Sequence, residues 1–322
     1  MTVPSLPSLD DIRLARARLA PFVTRTPLVE VDIGAPGQRL FLKLETLQPV
    51  GAFKIRPALN AVLSHDPATL KSGVATVSSG NMAYALAWAA KSVGISMAAY
   101  MFANAPRTKI EGVQRLGGEV RIVSDQLWWR YIMQEEALPG AETMIHPVTA
   151  RGVLEGNGTI GLEIIEDLPE VDHVLAPYGG GALLTGIAAA VKATRPGARM
   201  LAVESENATP VAAALAAGGP VNVAAGPSFI KSIGGPTVIP AFWPVARSVL
   251  DGSITVRLQD VVASMGLLFR HAKVVAEGAG AAALAAALAH PELRGNIVCI
   301  VSGGNIDASD YCQALSGQIP SP

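Results

Sequence analysis

The chain has 322 residues; half of them are hydrophobic, 16% are charged, and the formal net charge is -1. This length predicts about two domains, and the hydrophobic content excludes a disordered chain. The balanced charge argues against a nucleic-acid partner, because proteins that bind nucleic acids usually carry a basic stripe. No run of Lys or Arg indicates binding to an anionic membrane surface.

Neither a targeting segment nor a cysteine-based site is indicated. The first 21 residues are broken by prolines, aspartates and arginines, unlike a signal peptide. Residues 274–289 form the most apolar stretch, but they are short, rich in alanine and interrupted by Glu277, so they do not predict a membrane span. Cys299 and Cys312 fit neither a disulfide framework nor a zinc site. We expect a soluble cytoplasmic protein.

Short β-branched segments alternate with longer alanine-rich helical patterns along the chain. This alternation is typical of parallel βα units, in which helices cover short buried strands. The predicted strands cover residues 39–44, 74–77, 98–101, 120–123, 173–176, 200–203 and 297–301. The predicted helices include residues 57–63, 83–93, 110–116, 183–192 and 280–288. An α/β fold of this kind binds its ligands at the carboxyl ends of the strands.

Three glycine-rich turns follow predicted strands. They are Ser78-Ser79-Gly80-Asn81-Met82, Tyr178-Gly179-Gly180-Gly181-Ala182 and Ser302-Gly303-Gly304-Asn305. Bare amides at a helix N-terminus favour an anion, because the unpaired N–H groups and the helix dipole both point at it. A single turn of this type often uses glycine for geometry alone. Three such turns, together with a suitably placed lysine, predict a phosphate-binding site.

That lysine is Lys54, in Gly51-Ala52-Phe53-Lys54-Ile55-Arg56 directly before a predicted helix. A lysine in such a place is usually a solvated surface residue. Here Phe53 and Ile55 flank it with apolar side chains, which predicts a partly desolvated amine with a lowered pKa. An amine of this kind can attack a carbonyl carbon.

Taken together, these segments resemble those of fold-type II pyridoxal-phosphate enzymes. The segment around Lys54 is similar to the Schiff-base segment of that family, and the three turns and Gly156-Asn157-Gly158-Thr159 match its other landmarks in the right order. The resemblance runs from Thr26 to Asp307 and is strongest to the threonine/serine dehydratase and serine racemase branch. It implies an α/β protein with two parallel-sheet domains of the tryptophan synthase β-like architecture: a small domain over residues 41–148 and a large domain over residues 1–40 and 149–322. It also implies pyridoxal 5'-phosphate as cofactor and a homodimer.

The resemblance also implies a role for each matching residue. Lys54 would carry the cofactor as a Schiff base and act as the base at the substrate α-carbon, while Ser79 matches a base on the opposite face in the racemase branch. Asn81 would bind the phenolic oxygen of the cofactor, and Ser302 would meet its pyridine nitrogen. The implied cofactor-binding residues are Phe53, Lys54, Asn81, Gly179, Gly180, Gly181, Ala182 and Ser302. The implied residues for the substrate carboxylate are Ser78, Ser79, Asn81 and Met82.

The identity of Ser302 favours one reaction type. A serine opposite the pyridine nitrogen does not force protonation as a carboxylate would, so the ring is a weaker electron sink. A weaker sink favours a substrate whose β-hydroxyl leaves promptly. We therefore predict β-elimination from a β-hydroxy amino acid such as threonine or serine, giving a 2-keto acid and ammonia. Racemisation and β-replacement on the same fold are the alternatives, although the replacement branch typically has threonine where this chain has Met82.

Several positions depart from the family pattern. Met82 stands where histidine is common, and Phe229 lies in residues 226–229, which we align with a substrate-facing turn; both predict a more apolar side-chain pocket. Ala182 replaces a glycine but keeps its amide.

In the racemase branch a glutamate, a carbonyl and an aspartate bind a divalent cation. Glu204 and Ala208 match the first two ligands, but Pro210 replaces the aspartate. Hard divalent cations need several oxygen ligands that usually include carboxylates, so no divalent-metal site is predicted. An oxygen of Asn207 leaves a monovalent ion or a weak site open.

A nucleotide-binding protein is the main rival class. Residues 278–283 fit a loose G-x-G-x-x-A pattern. The preceding residues 267–277 read as a helix and not as a buried strand, and no ribose-binding acid follows at the expected distance. We interpret residues 278–283 as a helix of small residues that packs closely against a sheet. The five histidines show no metal-ligand spacing.

Overall fold

The computed structural model describes residues 5–103, 105 and 107–322. The strands within this part of the chain are β1 (Leu28–Val31), β2 (Gln38–Leu44), β3 (Val74–Val77), β4 (Met97–Phe102), β5 (Glu119–Val123), β6 (Thr143–Met144), β7 (His173–Pro177), β8 (Arg199–Ser205), β9 (Gly252–Val256) and β10 (Gly295–Val301). The α-helices are α1 (Leu9–Leu19), α2 (Ile55–Leu63), α3 (Asn81–Val93), α4 (Arg107–Arg115), α5 (Asp125–Ile132), α6 (Arg151–Asp167), α7 (Ala182–Thr194), α8 (Pro210–Ala217), α9 (Trp243–Arg247), α10 (Leu258–Leu267), α11 (Gly278–Ala289) and α12 (Ala308–Leu315).

The strands form two sheets that are mostly parallel. The larger sheet has the order β1-β2-β10-β7-β8-β9, and the smaller has the order β5-β4-β3-β6. The edge strand β1 runs antiparallel to β2, while the other pairs are parallel. The predicted α/β fold class is therefore confirmed. The predicted strands and helices lie close to their predicted bounds, and the structure adds β1, β6, β9 and several helices to them.

The central strands of the larger sheet are buried on both faces. Along β10, Val298 and Ile300 belong to the hydrophobic cluster on one face, and Ile297, Cys299 and Val301 belong to the cluster on the other. Successive side chains of a strand point to opposite faces, so a strand covered by helices on both sides must be apolar at every position. This explains why β10 reads as a continuous apolar run.

The position of β2 bears on the predicted domain boundary. β2 spans residues 38–44 and pairs with β1 and β10 in the larger sheet. A boundary at residue 41 therefore crosses a strand of that sheet. The smaller sheet consists of β3 to β6, which all lie within the predicted small domain of residues 41–148. The division into these two domains stays a prediction.

Helix α6 contains the Gly156-Asn157-Gly158-Thr159 segment and packs against α2 and α7. A Cβ atom on Gly156 would lie 2.6 Å from the carbonyl oxygen of Arg56. Glycine is therefore required here because the α6 backbone approaches that of α2 closely. This contact fixes the start of α2, which is the helix that directly follows Lys54.

A buried cluster of charged side chains also fixes the start of α2. The Arg56 guanidinium donates to Glu45 Oε2 at 2.8 Å and to Glu163 Oε1 at 2.7 Å. The Lys43 amine donates to Glu163 Oε2 at 2.5 Å. Burial raises the pKa of Glu45, but the charge and hydrogen bond of Arg56, the charge of Lys43 and the hydrogen bond of Thr26 together lower it below its ordinary value. Two cations thus match two carboxylates, which is the condition for tolerating charges in an interior.

No helix in the described part of the chain is long and apolar enough to cross a membrane. Cys299 is buried and Cys312 is exposed, and both are free thiols.

Candidate active site

A single cavity of about 440 Å³ opens where β3, β4, β7 and β10 end, so both sheets contribute to it. This is the edge at which parallel sheets bind ligands. The cavity brings together all the site residues that the sequence predicted. They are Phe53, Lys54, Ser78, Ser79, Asn81, Met82, Gly179, Gly180, Gly181, Ala182 and Ser302.

Lys54 enters the cavity from the turn before α2. The Phe53 N–H donates to the Ser302 carbonyl at 2.9 Å, which ties this turn to the end of β10. The Lys54 amine lies 4.7 Å from the centroid of the Phe53 ring. Among the described residues it has neither a carboxylate partner nor a hydrogen-bond acceptor. Burial without a compensating charge lowers the pKa of Lys54 to about 8, so a useful fraction of the amine is neutral near pH 7.

The triple-glycine turn precedes α7, with Ala182 as the first helical residue. The first amides of a helix have no carbonyl partner within it, and the helix dipole adds partial positive charge at that end. Gly181 has φ = +94°, a conformation that disfavours a side chain, and a Cβ there would also collide with the Tyr178 ring. The turn therefore presents bare backbone amides to the cavity, as a phosphate requires.

Asn81 begins α3 and is held by partners that the sequence analysis missed. Its Nδ2 donates to Glu277 Oε1 at 2.7 Å, and its Oδ1 accepts from Asn305 Nδ2 at 2.9 Å. Glu277 in turn lies 3.6 Å from the amine of Lys109, and both side chains are buried in the cavity wall. These contacts fix the Asn81 amide and leave its second N–H free to meet a ligand.

Glu277 directly precedes the glycine-rich segment 278–283. The Glu277 N–H donates to the Gly303 carbonyl at 3.0 Å, and a Cβ on Gly280 would collide with the same oxygen. The small residues of α11 thus let this helix pack tightly against the Ser302 turn. A packing role for this segment, as the sequence analysis interpreted it, agrees with these contacts.

The Ser78–Met82 turn forms another part of the cavity wall. The Ser78 hydroxyl accepts from the Gly80 N–H at 3.2 Å, and the Ser79 hydroxyl accepts from the Phe102 N–H at 2.8 Å. Each hydroxyl keeps its own proton to donate to a ligand. A donor to Ser79 Oγ also stabilises the deprotonated form of that hydroxyl, which a base at this position requires. Met82 is almost fully buried against the same cavity.

Phe229, which we expected at the substrate side-chain pocket, does not line the cavity. Phe229 packs against the start of α11, where a Cβ on Gly278 would lie 2.7 Å from its ring. The cavity is lined instead by residues 231–235, 237 and 239 from the same long connection. The expectation that Phe229 faces the substrate side chain was therefore wrong, while the alignment of residues 226–229 stays a prediction.

His146 is a neutral side chain whose hydrogen bonds fix the backbone at one side of the cavity. Its Nδ1 accepts from the N–H groups of Val148 and Thr149 at 3.1 and 3.0 Å, while Nε2 donates to the Ile132 carbonyl at 3.1 Å. Burial lowers the pKa of His146 to about 4, so the ring is neutral at pH 7. His146 therefore joins the end of α5 to Val148, which lines the cavity.

The carboxylate of Glu204 is already hydrogen-bonded. It accepts from the N–H groups of Val211 and Ala212 at 2.6 and 2.9 Å, at the start of α8, and from the Ser253 hydroxyl at 2.6 Å. Pro210 is the first residue of that helix. Within the described ranges, no three His, Cys, Asp or Glu side chains cluster closely enough to hold a metal ion. The absence of a divalent-metal site stays a prediction.

The arrangement fits pyridoxal phosphate as cofactor. It combines the Lys54 amine of lowered pKa with the backbone amides at the start of α7, which can bind a phosphate. It also contains the Asn81 side-chain amide, whose orientation is fixed by Glu277 and Asn305. Ser302 places a hydroxyl, a neutral hydrogen-bonding group, in the same cavity wall. The roles of the individual residues toward the cofactor stay predictions.

Comparison with known proteins agrees with this arrangement. A putative threonine dehydratase of Sinorhizobium fredii is 35% identical over 97% of this chain and 96% of its own length. A serine racemase of Oryza sativa subsp. indica is 36% identical over 95% of this chain and 93% of its own length. The structure of maize serine racemase matches with a TM-score of 0.85 at 33% identity, over 97% of each chain. The family model for pyridoxal-phosphate dependent enzymes matches residues 19–303, and the chain belongs to this family.

Proposed function

We propose that this enzyme catalyses β-elimination from a β-hydroxy amino acid and releases a 2-keto acid and ammonia. The observation that carries the proposal is the unpaired Lys54 amine, which shares one cavity with the hydroxyl-rich Ser78–Met82 turn. The names of the relatives, threonine dehydratase and serine racemase, agree with chemistry at the α-carbon of an amino acid.

In this proposal the turn binds the substrate and Lys54 moves the proton. The hydroxyls of Ser78 and Ser79 and the amides at the start of α3 hold the substrate carboxylate, because unpaired donors converge there. Lys54 Nζ would hold the cofactor covalently, and as a free amine it would take the proton from the substrate α-carbon. Bound pyridoxal phosphate supplies an electron-withdrawing ring that accepts the electron pair left behind.

The remaining residues hold the cofactor in this proposal. The amides of residues 179–182 bind its phosphate, and Phe53 packs beside its ring. Asn81 donates its second N–H to the phenolic oxygen, with Glu277 and Asn305 keeping the amide in place. Ser302 would meet the ring nitrogen with a hydroxyl, a neutral group that would not force protonation of that nitrogen as a carboxylate would. Water is lost across the Cα–Cβ bond, and hydrolysis of the resulting imine consumes one water, so the net products are the 2-keto acid and ammonia.

Racemisation is a second candidate, and one contact favours it. The Phe102 N–H donates to Ser79 Oγ and so stabilises the oxygen that a second base would use. Inversion needs a proton donor on the face opposite Lys54. We propose Ser79 for that role.

The test is release of 2-keto acid and ammonia from serine, threonine, 3-hydroxyaspartate and 3-phenylserine, in both β-epimers and without added thiol. Wild-type enzyme should turn over at least one of them. Lys54→Ala should lose activity by a factor of at least about 10³, while the exposed Lys91→Ala should retain it. Borohydride reduction followed by peptide mapping should place the cofactor on Lys54. Turnover only with O-acetylserine and a thiol would replace this proposal with β-replacement, and a label on another lysine would overturn the assignment of Lys54.

We also propose a homodimer in the cytoplasm, as the family resemblance and the sequence imply. Sedimentation equilibrium of the purified enzyme would test the dimer, and fractionation of the producing cells would test the location.

A further inference from the structure

An aromatic wall occupies one side of the cavity. It consists of Phe102, at the end of β4, and Trp128 and Trp129, on α5. The Phe102 and Trp128 ring centroids lie 4.4 Å apart, and those of Trp128 and Trp129 lie 5.2 Å apart at an interplanar angle of 82°. Two of the four tryptophans of the chain are thus placed at this cavity. Such packing is typical of surfaces that bind another aromatic ring.

The aromatic wall extends from Phe102, next to Ser79 of the substrate-binding turn, to Trp129, next to Gly235. The backbone N–H of Phe102 donates to Ser79 Oγ, so the Phe102 ring belongs to the residue in direct contact with the substrate-binding turn. At the far end, a side chain on Gly235 would meet Trp129 Cη2 at 3.3 Å. A substrate whose carboxylate lies on the turn therefore has the aromatic wall beside it.

Buried apolar side chains also line the cavity, whereas its Asp125 and Lys231 are exposed to solvent. Met82, Ile132 and Val148 line the same cavity and are buried. Among the lining residues that the structure describes, the buried charges besides Lys54 are Lys109 and Glu277, which pair with each other. A carboxylate on the substrate β-carbon would therefore lose its hydration without gaining a buried cation in exchange.

We infer that the preferred substrate carries a large aromatic group on its β-carbon, as 3-arylserines do. This inference rests on the proposed β-elimination and specifies its substrate class. The hydrogen of serine or the methyl group of threonine leaves the wall in contact with water, whereas a phenyl group covers it. With 3-phenylserine the products are phenylpyruvate and ammonia, formed by loss of water across Cα–Cβ and hydrolysis of the imine, with no net oxidation.

The first experiment measures kcat/KM of the holoenzyme for release of the 2-keto acid from 3-phenylserine, threonine, serine and 3-hydroxyaspartate, each as both β-epimers. The better epimer of 3-phenylserine should exceed threonine on the order of 100-fold, the ratio expected when a phenyl group is removed from water. An equal or higher value for threonine, serine or 3-hydroxyaspartate would overturn the inference and leave the proposed elimination standing. Turnover of none of the four would overturn the proposed elimination itself.

Variants then test the wall directly. Trp129→Leu should lower kcat/KM for 3-phenylserine by about tenfold, and Trp129→Phe should restore most of it, because a ring is again available for aromatic contact. Both variants should lower kcat/KM for threonine much less than kcat/KM for 3-phenylserine, because the methyl group of threonine does not cover the wall. Trp88→Leu is the matched control, since Trp88 lies on α3 outside the cavity lining. Equal losses for both substrates in Trp129→Leu would assign Trp129 a general structural role and would contradict the inference.

Discussion

The lowered pKa of Lys54 predicts how fast the cofactor-free enzyme takes up pyridoxal phosphate at different pH values. Only the neutral amine attacks the aldehyde. With a pKa of about 8, roughly one amine in ten is neutral at pH 7, against roughly one in 2,500 for an ordinary lysine. The rate of uptake should therefore rise about tenfold between pH 6 and pH 7 and level off above about pH 9.

Stopped-flow absorbance can follow this reaction, because the visible band of the cofactor shifts when its aldehyde condenses with the amine. The same pH series with pyridoxal, which lacks the phosphate, separates the titration of Lys54 from that of the cofactor phosphate. Lys54→Ala should show no shift with either compound. A midpoint near pH 10, or a rate independent of pH, would show that the cavity does not desolvate the amine and would refute the reasoning.

Three further predictions concern the charges and hydroxyls around the site. Arg56→Met leaves Glu45 buried without its partner and should lower the free energy of unfolding by about 3–5 kcal/mol in urea titrations; Arg107→Met, at an exposed pair, is the control and should shift the midpoint little. Ser79→Ala should reduce any racemisation at least about tenfold more than elimination, measured by chiral chromatography and 2-keto acid release, and equal losses would mean that Ser79 mainly positions the substrate. Exhaustive chelation should change neither activity nor the melting temperature, because α8 already engages the Glu204 carboxylate; a large loss that magnesium or calcium reverses would contradict this.

The site residues that the sequence predicted share a local signal. Each turn follows a short β-branched strand and precedes a helix, and the carboxyl ends of parallel strands meet at one edge of a sheet. Lys54 has the same kind of local signal, because its immediate neighbours Phe53 and Ile55 provide the apolar surroundings. Local patterns therefore predicted that the three turns and Lys54 form one site, whereas the roles of the individual residues came from the family resemblance.

The residues that were missed act through contacts with distant parts of the chain. Glu277 meets Asn81, which lies 196 residues earlier, and its own neighbours are alanines and glycines that indicate only helix packing. Trp128 and Trp129 stand on a helix whose periodicity does not show which side faces a cavity. Phe229 was misplaced because residues 218–242 contain no regular element in the structure.

The pairing of the other buried cations explains why Lys54 is the reactive amine. Lys109 also lines the cavity, but its amine forms an ion pair with Glu277 at 3.6 Å. Lys43 is fully buried, and its amine donates a hydrogen bond to Glu163 at 2.5 Å. Glu45 and Glu163, the carboxylates of the buried cluster at the start of α2, are occupied as well, since Arg56 binds both. Of the residues that the structure describes, Lys54 has the Phe53 ring beside its amine and no carboxylate partner. The ion pairs that fix α2 therefore also keep carboxylates away from the one amine that has to be neutral to react.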